Sequence, residues 1–235
     1  MHDSLASPIT LEGEIRYREV CETRILWDQK LPRELAISWQ TWETNRSGKI
    51  EVPRSIVHHQ ETTTCISIHA FGEARSQGVS TAVYAVTHQS SGVSQGLVTA
   101  KSRLAKKGLK ISRIELVAGH MAANLVSNVR DALEEFPLEV VYCWLNSSVA
   151  LHWIKGVGNY KQFISNRVRK IQEKEYIQWR DVGTKETPAD LGSSGGEISK
   201  GSDGGMGHRG LRTKTDGQKI LLLPLPRKHK LKPRS

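Results

Sequence analysis

Apolar residues are scarce in this sequence: 37% of its 235 residues are hydrophobic, 6% aromatic, and the mean hydropathy is −0.43. That excludes a wholly compact globule and leads us to expect some unstructured chain. Cysteine is limited to Cys21, Cys65 and Cys143, far apart, with no CxxC pair and no histidine at ligand spacing. This excludes a disulfide scaffold and a zinc site, and reads as free thiols in a reducing compartment. No run of 18 apolar residues occurs, and residues 1–20 carry no signal-type apolar core. A soluble intracellular protein, cytoplasmic or nuclear and without a membrane partner, is therefore expected. What the chain has in excess is positive charge, a formal +10, which suits a polyanionic partner such as nucleic acid. Its length accommodates one sizeable domain with extensions, or two small ones.

Residues 1–64 read as a lead-in, with one short amphipathic helix at residues 31–42. Pro32 sits near its first turn, and Leu35, Ile37, Trp39 and Trp42 offer an apolar side. Trp27, Trp39 and Trp42 suit packing anchors or, alternatively, base-stacking platforms. Residues 52–54 begin an extended segment.

Residues 65–84 form the stretch around which the rest is arranged. Alternation through Ile66, Ser67, Ile68 and His69 predicts a strand, residues 71–77 its polar exit with Gly72 and Gly78 allowing a tight turn, and residues 81–86 a second strand. Glu73 stands at the end of the first strand. Taken alone it is a solvated turn glutamate or one carboxylate of a metal site. A third strand follows at residues 94–102, antiparallel to the second because the connection is short. Residues 101–113 then carry Lys101, Arg103, Lys106, Lys107, Lys110 and Arg113 with no acid, a solvated basic loop or a track for a phosphate backbone.

The strongest helix signal runs over residues 112–130. Ser112 and Glu115 match a capping box, and Ile114, Val117, Met121, Leu125 and Val129 recur on one face. Glu115 at the first turn is favoured by the helix dipole and stays available as a ligand. Residues 139–144 suit a buried central strand. Asn146 or Ser147 caps a second helix bearing Val149, Leu151, Trp153 and Ile154, closed by Gly156 and Gly158; this GxG is too weak to be a nucleotide loop. Residues 160–174 give a third helix with Phe163, Ile164, Val168 and Ile171 inward and Lys161, Arg167, Arg169 and Lys170 outward. Residues 176–182 form a final strand, and Pro188 starts another helix that carries Asp190.

The order of three antiparallel strands, helix, strand, two helices, strand and helix resembles the ribonuclease H-like fold, an α/β architecture with a five-stranded mixed sheet flanked by helices. More specifically, residues 26–195 resemble the segment of Pao/BEL-type LTR retrotransposon polyproteins that follows the reverse transcriptase, often labelled the Pao retrotransposon peptidase family. LWDQKLPRELAISWQTW, VPRSIV, IHAFGEA, AKSRLA with ISRIELVA, CWLNSSVALHWI, FISNRVRKIQE and ETPADLGSSG carry the likeness by their order and spacing. With the readings of the flanking segments it gives an expected division into a lead-in at 1–64, a ribonuclease H-like domain at 65–195 and a flexible basic tail at 196–235.

The resemblance further implies cleavage of the RNA strand of an RNA/DNA hybrid by four acids holding two magnesium ions, alongside the reverse transcriptase part of a parent polyprotein. Glu115 and Asp190 match the second and fourth acids. Glu73 stands where an Asp is expected, Asn146 where the third acid is expected, Asp181 in place of the histidine, and Ser193-Ser194-Gly195 in place of Ser-Arg-Gly. Glu73, Glu115 and Asp190 are thus the metal candidates, with Asn146 the fourth member of the catalytic set. The exchanges differ in weight. Glu for Asp keeps the charge but shifts the carboxylate by about an ångström, where magnesium–oxygen distances are held near about 2.0–2.1 Å. Asn for Asp removes a full charge from a site facing two dications, so impaired hydrolysis is expected. The readings open at this point are a hybrid-specific endonuclease, a non-catalytic nucleic-acid-binding module and a decayed retroelement fragment.

Residues 193–235 contain ten Lys and Arg against three acids, +7 of the total +10. Gly and Ser dominate residues 192–210, so a flexible tail is expected. Residues 220–226, ILLLPLP, suit a lone strand or docking peptide. Residues 227–232 suit nucleic-acid binding or nuclear import. Thr215-Asp216-Gly217 resembles an aspartic-protease loop but lacks the strand pattern and second copy of one.

Overall fold

The structure is a computed structural model that describes residues 7–26, 28–45, 61–183, 187–190 and 193. Cys65–Ala74 (β1) pairs antiparallel with Gly78–Gln89 (β2), and β2 antiparallel with Gly92–Leu104 (β3). On the other side of β1 lie Leu138–Leu145 (β4) and then Ile177–Asp181 (β5), both parallel to it. The sheet order is β3-β2-β1-β4-β5, the mixed five-stranded sheet expected from the sequence. Parallel neighbours need a long crossover. Ile111–Ala132 (α3) supplies it between β3 and β4, and Ser148–Lys155 (α4) with Gln162–Gln172 (α5) supply it between β4 and β5.

Side chains alternate across the sheet. Ile68 and Ala70 of β1 and Val141, Cys143 and Leu145 of β4 join one core with Leu116, Ala122, Ala123 and Val126 of α3. Small residues let α3 come close: a Cβ added at Gly72 would stand 2.8 Å from Leu145 Cδ2 and 3.1 Å from the Ala118 carbonyl oxygen. Gly72 is therefore an in-strand contact point, and the turn expected at residues 71–77 shrinks to residues 75–77. The two flanking strands consequently run longer than expected, and Glu73 lies inside one of them.

Three other expectations need correction. The capping box at Ser112 and Glu115 does not form: the cap is Lys110, without a side-chain hydrogen bond, because the backbone N–H groups of Arg113 and Ile114 already reach the Lys110 carbonyl. Val117 and Leu125, expected inside, are half-buried, since the small-residue face of α3 turns to the sheet instead. Ile37, expected on the buried side of its helix, is 52% exposed.

The lead-in holds two helices, Ser7–Glu22 (α1) and Arg33–Asn45 (α2), of which only the second was legible. Trp42 explains their pairing. Its indole N–H donates to the Ile9 carbonyl at 3.2 Å, and its ring lies where a Cβ on Gly13 would be, 2.6 Å away. Trp39 meets Trp42 edge-on at 5.4 Å between centroids, so both rings pack. Leu11 of α1 is fully buried against Gly78 at the start of β2, and Arg18 donates to the Ala105 carbonyl at 2.9 Å. Trp27, residues 52–54, the helix expected beyond Asp190 apart from Ser193, and the tail at 196–235 with its 220–226 and 227–232 segments lie outside the described residues.

Candidate functional site

Strand register decides what meets at the top of the sheet. Gly72 of β1 lies opposite Leu145 of β4, so the next residues, Glu73 and Asn146, emerge side by side. Asn146 Nδ2 donates to Glu73 Oε1 at 3.1 Å. A carboxylate only accepts, so the amide must turn its NH₂ toward Glu73 and its oxygen away. The adjacent Ser147 caps α4, accepting from the Ala150 N–H at 3.1 Å, while its hydroxyl donates to Glu115 Oε2 at 2.6 Å. Glu115, released from the expected capping box, thereby faces β4 from the first turn of α3. The fourth residue arrives from beyond β5: Ser80, opposite Glu73 on β2, donates to the Ala189 carbonyl at 2.5 Å, and Asp190 Oδ1 accepts from Arg75 Nη2 at 2.6 Å. All four sequence candidates thus sit at one end of the sheet. Asp181 is exposed at the end of β5.

Glu73 is only 4% exposed, and its Oε2 has no hydrogen-bond partner among the described residues. Burial raises its carboxyl above the ordinary range, the Asn146 hydrogen bond opposes that, and the charge of Asp190 raises it further.

Do these groups fit two magnesium ions? Such a centre needs convergent, negatively charged oxygens with free lone pairs. Here each carboxylate has one oxygen engaged by a protein donor, Glu73 by Asn146, Glu115 by Ser147 and Asp190 by Arg75, and Glu73 Oε2 keeps its lone pairs, so what is missing is convergence and the fourth anion. The fourth group presents N–H to Glu73 where a ligand oxygen is required. Among the described residues no group of three or more His, Cys, Asp and Glu side chains is placed to hold one ion. As arranged, the set does not fit a two-magnesium centre.

The six basic candidates divide. Lys101, Arg103 and Lys106 line one cleft of about 350 Å³ together with His120, Asn124 and Arg167. Lys107 is tied to Glu22 of α1 in an ion pair, Lys110 caps α3, and Arg113 lies 5.6 Å from the Phe163 ring centre. Arg167 lies closer to the same ring, at 3.7 Å. Burial, then the charges of Arg167, Lys170 and Lys174, hold the His120 imidazole below its ordinary value, a local sign of strongly positive surroundings. Glu73, Ser80 and Ser102 lie on one row of the sheet, and Lys101 and Arg103, on either side of Ser102, point to the opposite face from Glu73, toward α3.

Sequence reasoning missed Arg75, Ser80 and the second role of Ser147. Arg75 and Asp190 are 115 residues apart, and no local pattern announces their pairing.

A family model described as the Pao retrotransposon-like RNaseH-like domain matches residues 3–147, more than half of the chain. No curated protein matches. Among solved structures, RNase H1 from Halobacterium salinarum NRC-1 is similar at 14% identity and a TM-score of 0.32, over 51% of this chain and 86% of that one. LC11-RNase H1 in complex with RNA/DNA hybrid is similar at 16% identity and a TM-score of 0.36, over 53% and 91%. The foamy viral protease-reverse transcriptase dRH in complex with double-stranded DNA is similar at 12% identity and a TM-score of 0.44, over 73% of this chain and 28% of that one. At these scores the structural likenesses add nothing to the assignment of the site.

Proposed function

This chain belongs to the Pao retrotransposon-like RNaseH-like domain family, and from that premise we propose that it binds RNA/DNA hybrid while its two-metal phosphodiester hydrolysis is impaired. In this reading residues 65–195 are the ribonuclease H-like domain, residues 1–64 its connection to a reverse transcriptase part of a parent polyprotein, and residues 196–235 a basic tail. The hybrid backbone runs along the edge formed by Lys101, Arg103, Lys106, Lys107, Lys110 and Arg113, where neutralised phosphates release counterions. Glu73, Glu115, Asn146 and Asp190 are the remnant of the acidic set that magnesium would use, with Glu73, Glu115 and Asp190 its charged members.

The observation that carries the impairment is the 3.1 Å hydrogen bond from Asn146 Nδ2 to Glu73 Oε1. It turns a donor into the space where the chemistry needs an anionic acceptor. Metal stabilisation of a transition state is worth several kcal/mol, so its loss slows cleavage by orders of magnitude. Two measurements on the full chain test the reading. Magnesium-dependent hybrid cleavage should be absent or feeble in the natural protein and rise on the order of a hundredfold or more in the Glu73→Asp, Asn146→Asp double variant. Hybrid affinity should fall with salt, and the combined Lys101→Ala, Arg103→Ala, Lys106→Ala variant should flatten that dependence by roughly 0.7–0.9 in logarithmic slope per lost phosphate contact. Brisk cleavage by the natural protein would remove the impairment; salt-insensitive binding would remove the nucleic-acid track.

A further inference from the structure

Arg75 has no role in the acidic set that the family resemblance implies, yet it is aimed at that set. It follows Glu73 by two residues, in the three-residue turn between β1 and β2. Its backbone N–H closes that turn on the Gly78 carbonyl at 2.8 Å. Gly78 is itself pressed against Leu11 and the Ser193 carbonyl, which a Cβ would meet at 2.5 and 2.9 Å. The turn is therefore fixed on both sides, and the guanidinium is delivered to Asp190 Oδ1 at 2.6 Å. Arg75 thus sets a positive charge on one of the three remaining acids, two residues along the chain from a second.

We propose that Arg75 is a resident cation of the acidic cluster, taking the electrostatic place of a divalent metal ion and keeping such ions out. The inference rests on the placement of the acids described above and is independent of hybrid binding. Three donors divide the work: Asn146 on Glu73, Ser147 on Glu115 and Arg75 on Asp190. Only the third carries charge. Glu73 and Asp190, which the Ser80 contact to the Ala189 carbonyl brings to the same strand end, repel one another without a counter-ion, and a cation at one of them relieves that repulsion. The pair is half exposed, at 51% and 36%, and exposed pairs contribute little to stability. Its consequence is therefore for the charge of the cluster: a dication approaching Asp190 must displace the guanidinium or share the carboxylate with it at short range. The side chain is long and solvent-facing, so displacement needs no unfolding.

The test is manganese binding to the full chain, by isothermal calorimetry or by the electron paramagnetic resonance of free Mn²⁺, paired with thermal melting in chelator and in Mn²⁺. The natural protein should bind Mn²⁺ no tighter than millimolar and melt at the same temperature in both buffers. Arg75→Gln, which keeps a polar side chain and removes the charge, should bind on the order of tenfold tighter and gain melting temperature with the ion. Arg75→Lys should behave like the natural protein, because it keeps the positive charge. Arg75→Gln combined with Asp190→Asn should lose the gain. Micromolar Mn²⁺ binding by the natural protein would overturn the proposal, as would equal affinity in Arg75→Gln. If Arg75→Gln does not fold, Arg75→Ala takes its place, and the natural protein's affinity still decides. None of these readouts involves nucleic acid, so a failure here and a failure of hybrid binding are separable.

Discussion

His69 and Glu73 are two buried polar side chains on the same face of the same strand, 2% and 4% exposed, and they are treated oppositely. His69 is satisfied on both ring nitrogens. The Trp144 indole N–H can only donate, so Nδ1 accepts it at 3.3 Å, Nε2 carries the proton, and the Ser67 hydroxyl meets Nε2 at 3.1 Å. The ring also stacks on Trp144, 6.0 Å between centroids and 9° between planes. Glu73 has one oxygen paired with Asn146 and the other orphaned. A fully satisfied buried group fixes structure, whereas a half-satisfied one is a cost that folding alone does not explain. Four residues along β1, the chain passes from a buried polar group with both nitrogens paired to one with a single oxygen paired.

That contrast can be broken or sharpened by experiment. The largest effect is expected at the satisfied end. His69→Ala empties a buried ring site and strands the Trp144 N–H, and should cost about 3 kcal/mol or more in urea unfolding; a loss under about 1 kcal/mol would mean the cluster is not structural.

Next comes acid titration. Burial lowers the His69 imidazole from 6.5 to about 4, so the folded state holds that proton less tightly than the unfolded chain. Its contribution is complete above the ordinary histidine value and is lost as pH falls through the folded value. Stability of the natural protein should therefore drop by about 3 kcal/mol between about pH 6.5 and 4, and this limb should be missing in His69→Phe.

Smallest, and of opposite sign, is the effect at the other end. Because burial raises the Glu73 carboxyl, the stability it contributes is present below the ordinary carboxylate range and is lost as pH rises through its folded value. Glu73→Gln removes the buried charge and should leave the protein as stable or stabilise it by up to about 1 kcal/mol at neutral pH, with the advantage fading toward acid. A clear destabilisation at neutral pH would show Glu73 to be a structural anchor like His69.

Much of the fold was legible because sheets and helices write their period into local sequence. Alternation marked the strands of the hairpin, an apolar run marked β4, and the short β2–β3 connection fixed antiparallel pairing. The misses have physical causes. Glycine at position 72 signals a turn when read locally, but it answers a helix that approaches the strand from more than forty residues away. Ser112 and Glu115 satisfy the capping pattern, yet the chain enters α3 from Lys110 and leaves Glu115 to Ser147. α1 buries few of its residues, so its apolar pattern is faint although Leu11 is fully enclosed.

Charge excess, scarcity of cysteine, the order of the elements and the identity of the four junction residues were all determined by the sequence itself, since each depends on residue type and near neighbours. Tertiary structure alone decided that Glu73 is buried rather than solvated, that Asn146 offers it a hydrogen rather than a lone pair, and that Arg75 reaches Asp190 across 115 residues. Those outcomes turn on strand register and on distances between remote segments, and hydrogen bonds and charge interactions of this kind change sign or vanish over a few ångströms.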